Sequence, residues 1–239
     1  MPFPRRTPLT LSLALSGALI LGPALAAQAA TTSPTTASVL ASATKSLDKE
    51  TGVHIVVTTV DKKVDSSVVA DIGTASGTET YVSGTETFTI TVTPKDAYLY
   101  GSKKGLTALM GLSASEQSKV GSEAIVMKAG TSPYSTFHSN LTSGAFSQLL
   151  PSAKGTSLLA KRDKTTKGFQ LSWTTAKTSS TPKELSILTI SSGSKALPLK
   201  ETVTTTDGSS HTAFTKWGES VQVQIPSKTI PYALVFPAS

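Results

Sequence analysis

Between Ala37 and Lys49 the apolar positions Val39, Leu40, Ala43 and Leu47 fall at i, i+1, i+4 and i+8, which is one stripe of a helix. Gly52 ends it. The period then drops from 3.6 to 2. Val53 to Val60 is rich in β-branched residues, and Ser67 to Ile72 and Thr78 to Val82 follow, punctuated by Gly73, Gly77 and Gly84. Thr87 to Thr93 alternates without a break, with Phe88, Ile90 and Val92 on one face and threonine on the other. Pro94-Lys95-Asp96 predicts a turn and Ala97 to Tyr100 another strand.

Residues 105–151 predict four short helical pieces. Leu106, Leu109 and Met110 make the first stripe. Ser113 and Glu116 have the spacing of a capping box. Glu123 to Lys128 reads as an intervening strand. Ser132-Pro133 opens the next helix, with Tyr134, Phe137 and Leu141 at i, i+3 and i+7. Thr142 or Ser143 caps the last piece, which turns Phe146, Leu149 and Leu150 inward and stops at Pro151. Strand periodicity returns after Lys154. Phe169, Leu171 and Trp173 alternate with polar residues, Leu185 to Ile190 suits a strand buried on both faces, and Leu197 to Thr204, His211 to Lys216 and Val221 to Ile225 complete about ten strands. Asp207-Gly208 marks a hairpin, and Ile230 to Phe236 is an apolar tail without clear period.

Short strand-to-strand links predict an antiparallel sheet, and about ten strands predict one that curls. The expected fold class is α+β: a single strongly curved antiparallel sheet, a half-barrel, with the N-terminal helix and the central helical block in its concave face. Short helices pack imperfectly, so an apolar cavity under them is one reading, and a solid core is the other. Phe88, Ile90, Val92, Phe169, Leu171 and Trp173 would face Leu106, Leu109, Met110, Phe137 and Phe146 across that gap in either case.

Composition changes the picture at two points. The chain of 239 residues has 37 Thr and 34 Ser but only 15% charged residues, so its polar strand faces are hydroxylated rather than charged. It has no cysteine, which excludes disulfides, thiolate metal sites and a thiol nucleophile. Arg5-Arg6, the apolar run Leu9 to Leu21, Pro23 and Ala27-Gln28-Ala29 fit a secretory signal peptide over 1–29, followed by a polar linker at 30–36 and one domain at 37–239. Without Arg5 and Arg6 there are 20 basic against 15 acidic residues, or +5. Outside the cytoplasm that charge suits an anionic membrane surface or cell-wall polymer rather than nucleic acid, or serves solubility alone.

Catalytic chemistry finds little support. His54, His138 and His211 lie at no metal-ligand spacing. No nucleophile elbow is present, and the two S-x-x-K matches, Ser42 to Lys45 and Ser192 to Lys195, lack their companion motifs. The carboxylates form no evident pair. The basic clusters Lys62-Lys63, Lys103-Lys104 and Lys161-Arg162-Asp163-Lys164 fall at loops or strand ends, either as solvated turn charges or as a basic rim.

The order of elements, with Gly105-Leu106 through Gly111-Leu112-Ser113-Ala114, Ala129-Gly130-Thr131-Ser132-Pro133-Tyr134, Leu141-Thr142 and Phe214-Thr215-Lys216-Trp217-Gly218-Glu219-Ser220-Val221, resembles the LolA-like lipid-carrier superfamily, closest to actinobacterial lipoproteins of the LppX/LprG type. The resemblance spans nearly all of 37–239. It implies a curved sheet over helices and carriage of a lipid or other acylated apolar ligand, without catalysis or cofactor, by a secreted monomer. It makes Phe88, Ile90, Val92, Leu106, Leu109, Met110, Phe137, Phe146, Phe169, Leu171 and Trp173 the candidate cavity lining. Two departures stand out. Ala29-Ala30-Thr31 replaces the lipid-attachment cysteine, implying a freely soluble form, and Glu123-Ala124-Ile125-Val126 stands where a tryptophan is common. The alternative is an envelope sensor or chaperone that binds a protein partner without lipid.

Overall fold

The computed structural model describes residues 35–62, 65–151, 158–176 and 183–237. The expected signal peptide, most of the linker and Lys63 lie outside the described residues. Helix α1 (Thr36–Leu47) buries Val39, Leu40, Ala43 and Leu47, the stripe its sequence predicts, and its N-cap Thr35 accepts a hydrogen bond from the Ser38 amide. Five strands follow as a meander: β1 (Gly52–Asp61), β2 (Ser66–Gly73), β3 (Gly77–Ser83), β4 (Glu86–Val92) and β5 (Asp96–Gly101).

The central block is α2 (Lys103–Met110), α3 (Ala114–Val120), β6 (Ala124–Lys128), α4 (Ser132–Asn140) and a 3-10 helix (Ser143–Leu149). The capping box of α3 is formed: the Ser113 amide donates to Glu116 Oε2 at 2.7 Å, and the Glu116 amide to Ser113 Oγ at 3.3 Å. The second half supplies β7 (Leu159–Arg162), β8 (Phe169–Thr175), β9 (Glu184–Ile190), β10 (Pro198–Thr204), β11 (Gly208–Thr215), β12 (Thr229–Pro231) and the short helix α5 (Tyr232–Val235).

All twelve strands among the described residues join one curved, unclosed sheet, in the order β12-β6-β5-β4-β3-β2-β1-β11-β10-β9-β8-β7. Pairing of β1 with β11 unites the two halves of the chain. Every pairing is antiparallel except β12 with β6. That exception corrects an all-antiparallel sheet. Thr229 reaches β6 after a long excursion, so no short hairpin dictates its direction.

Two further expectations are corrected, and short elements that show no period are added. Val221 to Ile225 alternates but forms no strand. Strand β11 lies between β1 and β10, so the chain leaving it has no free neighbour to pair with. It crosses the end of β1 instead, where the Gly218 amide donates to the Gly52 carbonyl at 2.8 Å. A Cβ on Gly52 would sit 2.1 Å from the Glu219 carbonyl oxygen, so the crossing requires glycine. The tail contains β12 and α5, which bury Val235. Strand β7, too short to show a period, exists through its pairing with β8. Strand β9 is buried on both faces only from Leu188 to Ile190, and Leu185 is exposed.

Register puts the core on one face. Directly paired residues share a face, and alternate residues switch it. The inner face runs in rows across the sheet. One row holds Leu99, Ile90, Glu79, Ala70, Ile55 and Phe214, and the next holds Phe88, Tyr81, Val68, Val57, Thr212, Glu201, Leu188 and Leu171. Two apolar clusters fill this face. One gathers α1, the 3-10 helix and strands β1, β2, β8, β9 and β11, and the other gathers α2, α3, α4 and α5 on β4, β5 and β6.

Candidate functional site

Strands β1, β2 and β11 each have one covered and one half-covered end. Along the inner face of β1, Val53 and Ile55 are buried, Val57 and Thr59 are half-buried and Asp61 is exposed. The same decline runs from Ile72 and Ala70 to Val68 and Ser66 on β2, and from Phe214 to Thr212 and Ser210 on β11. Helix α1 and the 3-10 helix close over the covered end, and the segment between α4 and the 3-10 helix straps across it. Its Thr142 bridges Gly73, and its Leu141 carbonyl lies where a Cβ on Gly77 would be, only 2.0 Å away. Glycine at 77 lets the strap lie on the sheet. Beyond it, Leu141 packs in one cluster and Phe146 in the other.

The opposite, open end is a half-buried surface made of Val57, Val68, Tyr81, Thr212, Glu201 and Val203, with Glu79 at its inner margin. Tyr81 stacks on Phe88, ring centroids 4.9 Å apart. Trp173 and Leu158 continue the surface toward the edge strand β7 and pack, half-buried, on the first cluster. Two carboxyl groups interrupt it. Burial holds Glu79 above the usual carboxylate range. Burial, with the like charge of Glu184 second, pushes Glu201 up to about 7. Neither carboxyl has a hydrogen bond or ion pair among the described residues.

The eleven candidate lining residues divide between the clusters. Phe88, Ile90, Val92, Leu106, Leu109, Met110 and Phe137 belong to the β4–β6 cluster, and Phe146, Phe169, Leu171 and Trp173 to the other. Phe88, Ile90, Val92, Leu106, Phe146 and Leu171 are buried. Leu109, Met110, Phe137, Phe169 and Trp173 are half-buried at the cluster margins. The structure therefore does not bring all eleven to one place. Val57, Val68, Tyr81, Glu79, Thr212 and Glu201 escaped the sequence reading. A signal existed: Glu79 and Tyr81 share the phase of Gly77, and Val57 that of Val53 and Ile55.

A polar cavity of about 460 Å³ lies at the strapped end, between the C-terminus of α1 and the β9–β10 loop, lined by Ser42, Lys45, Ser46, Lys49, Glu50 and Lys195 among others. Both S-x-x-K segments contribute to it. Lys195 Nζ lies 2.8 Å from Glu50 Oε1, and the Ala196 amide donates to Ser46 Oγ at 3.0 Å, so these groups tie the loop to the helix.

The histidines are dispersed. On the outer face, His54 Nδ1 lies 2.7 Å from Asp71 Oδ1, and His211 lies within 3.3 Å of Thr202 Oγ1. His138 stacks on Tyr134. No group of three or more His, Asp or Glu side chains could hold a metal among the described residues.

Of the basic clusters, Lys62 and Lys103-Lys104 stand at the open end. Lys62 Nζ donates to the Thr206 carbonyl at 2.9 Å, and Lys104 Nζ to Thr85 Oγ1 at 3.4 Å. Lys161-Arg162 ends β7 near the strapped end, where the Arg162 guanidinium sits 5.6 Å over the Phe169 ring.

No protein-family model and no curated protein matches the chain. Among solved structures it is similar to LprF from Mycobacterium bovis, at 13% identity and TM-score 0.44, covering 79% of this chain and 95% of that one. It is also similar to the lipoprotein LppX from Mycobacterium tuberculosis, at 15% identity and TM-score 0.39, over 80% of this chain and 100% of that one. A third similar structure is a DUF1329 family protein from Desulfovibrio piger, at 8% identity and TM-score 0.31, over 78% and 93%.

Proposed function

We propose that this protein binds and releases a lipid or other acylated ligand, whose apolar chain lies on the open end of the sheet's inner face. The observation that carries the reading is the burial decline along β1, β2 and β11. These strands keep presenting inner-face side chains, including Val57 and Val68, that the protein's own helices leave half-buried. An acyl chain would complete that interior, gaining about 0.8 kcal/mol per buried methylene. Leu109, Met110, Phe137, Phe169 and Trp173 are the members of the predicted lining placed to adapt to a guest, and the buried members form its floor. The reaction is burial and release, and no bond is made or broken.

The reading places the protein in the cell envelope or outside it, after removal of 1–29. Lys62, Lys103 and Lys104 at the open end would draw the mouth toward an anionic membrane surface, each worth about 1 kcal/mol close to it. The test is uptake of a fluorescent monoacylglycerol by the purified mature chain, with native mass spectrometry of co-purified lipid. Tyr81→Arg should lower uptake more than tenfold while the circular dichroism of the sheet is kept. Unchanged uptake by Tyr81→Arg, or a wild-type protein that takes up no probe and carries no lipid, would reject the reading.

A further inference from the structure

The chain is basic, with 22 Lys and Arg against 15 Asp and Glu, yet the inner face of its sheet carries more acidic than basic side chains, while the outer face mixes both signs, with Asp71 and Asp96 beside His54 and Lys128. Lys128, Lys161 and Lys200 pair within rows of the outer face. The inner positions of β3, β9 and β10 carry Glu79, Glu184 and Glu201. Asp61 and Glu86 add carboxyl groups at the strand tips of the open end. Among the described residues, the one basic strand residue in inner phase is Arg162, on the edge strand at the other end, exposed and stacked over Phe169. Glu79 and Glu201 lie in adjacent rows, four strand spacings or roughly 19 Å apart along the curved sheet, so they bracket the half-buried surface of Val57, Val68 and Thr212.

A half-buried carboxyl without a partner is costly unless a ligand completes it or it stays neutral. Ionised, it accepts hydrogen bonds only. Protonated, it can also donate one. Ionised, it also repels a second anion on the same surface. Resting on the lipid-binding reading above, we infer that Glu79 and Glu201 are specificity-determining residues, which select an acylated ligand with a hydrogen-bond-donating uncharged or ammonium head and reject one with a carboxylate or phosphate head. The basic residues outside the mouth and the acidic ones within it then divide two tasks: the rim meets an anionic surface, and the interior refuses anionic lipids.

The experiment compares three probes of equal chain length at about pH 8, where a fatty acid is ionised: a monoacylglycerol, an alkylamine and the fatty acid. Wild-type protein should bind the first two at least tenfold tighter than the third. The double variant Glu79→Gln, Glu201→Gln, and Glu201→Gln alone should the double variant not fold, should tighten fatty-acid binding and weaken alkylamine binding, each several-fold, and leave the monoacylglycerol within about twofold. Equal wild-type affinity for all three probes, or a preference untouched by the Gln variants, would overturn the inference while leaving lipid binding intact. Failure of all three probes to bind would overturn both.

Discussion

Ile55 and Val57 are two residues apart on one strand and point to the same face, yet one is 7% exposed and the other is half-buried. The strand is the same, the alternation is the same and the residue types are nearly the same. The difference is what lies above. Ile55 lies in the cluster that α1 and the 3-10 helix close over. Val57 packs only at the margin of that cluster and stays half-buried. This pair shows that a strand's alternation fixes which side chains turn inward, while burial of the inward ones is decided by elements far away in sequence.

Truncating the two residues should separate these roles most strongly. Ile55→Ala should cost about 3 kcal/mol in chemical denaturation, because it leaves a cavity in a covered site. Val57→Ala should cost roughly 1 kcal/mol and lower lipid uptake by more than it lowers stability. Equal losses would mean that both ends of the strand are packed alike.

A smaller effect should come from Glu201. Its carboxyl is raised to about 7 in the fold against an ordinary value of 4.5, so the folded state holds the proton more tightly than the unfolded one. Stability is then undiminished below about pH 4.5, falls as pH rises toward 7 and is flat beyond. Allowing for partial exposure, the drop should be about 2 kcal/mol. Glu201→Gln should flatten the slope, and Glu79→Gln should change it in the same direction. A stability curve in which Glu201→Gln keeps the wild-type slope would place that carboxyl in water.

Much of the architecture was readable in the sequence, because local chemistry carried it. The α1 stripe, the Ser113–Glu116 box, the unbroken alternation of β4 and the helix–strand–helix order of 103–149 each follow from spacing alone. The failures share a cause. Val221 to Ile225 has a strand's pattern but no edge to join, and Thr229–Pro231 has no pattern yet joins β6. Pairing partners, not periods, decided both. The half-covered surface was not legible for the same reason. The sequence identified the strongest apolar positions, such as Phe88 and Leu171, and the fold buried them as core. The surface left half-covered is built from weaker positions, with Val57, Thr212 and Glu201 aligned only through the β1–β11–β10 register.

The most direct test is a photoreactive acyl lipid, bound to the mature chain, cross-linked and mapped by peptide mass spectrometry. Labels concentrated on β1–β3 and β10–β11, at and around Val57, Val68, Tyr81 and Thr212, are the predicted result. Labels confined to the outer face or to the polar cavity beside Lys45, with the open end untouched, would contradict the account.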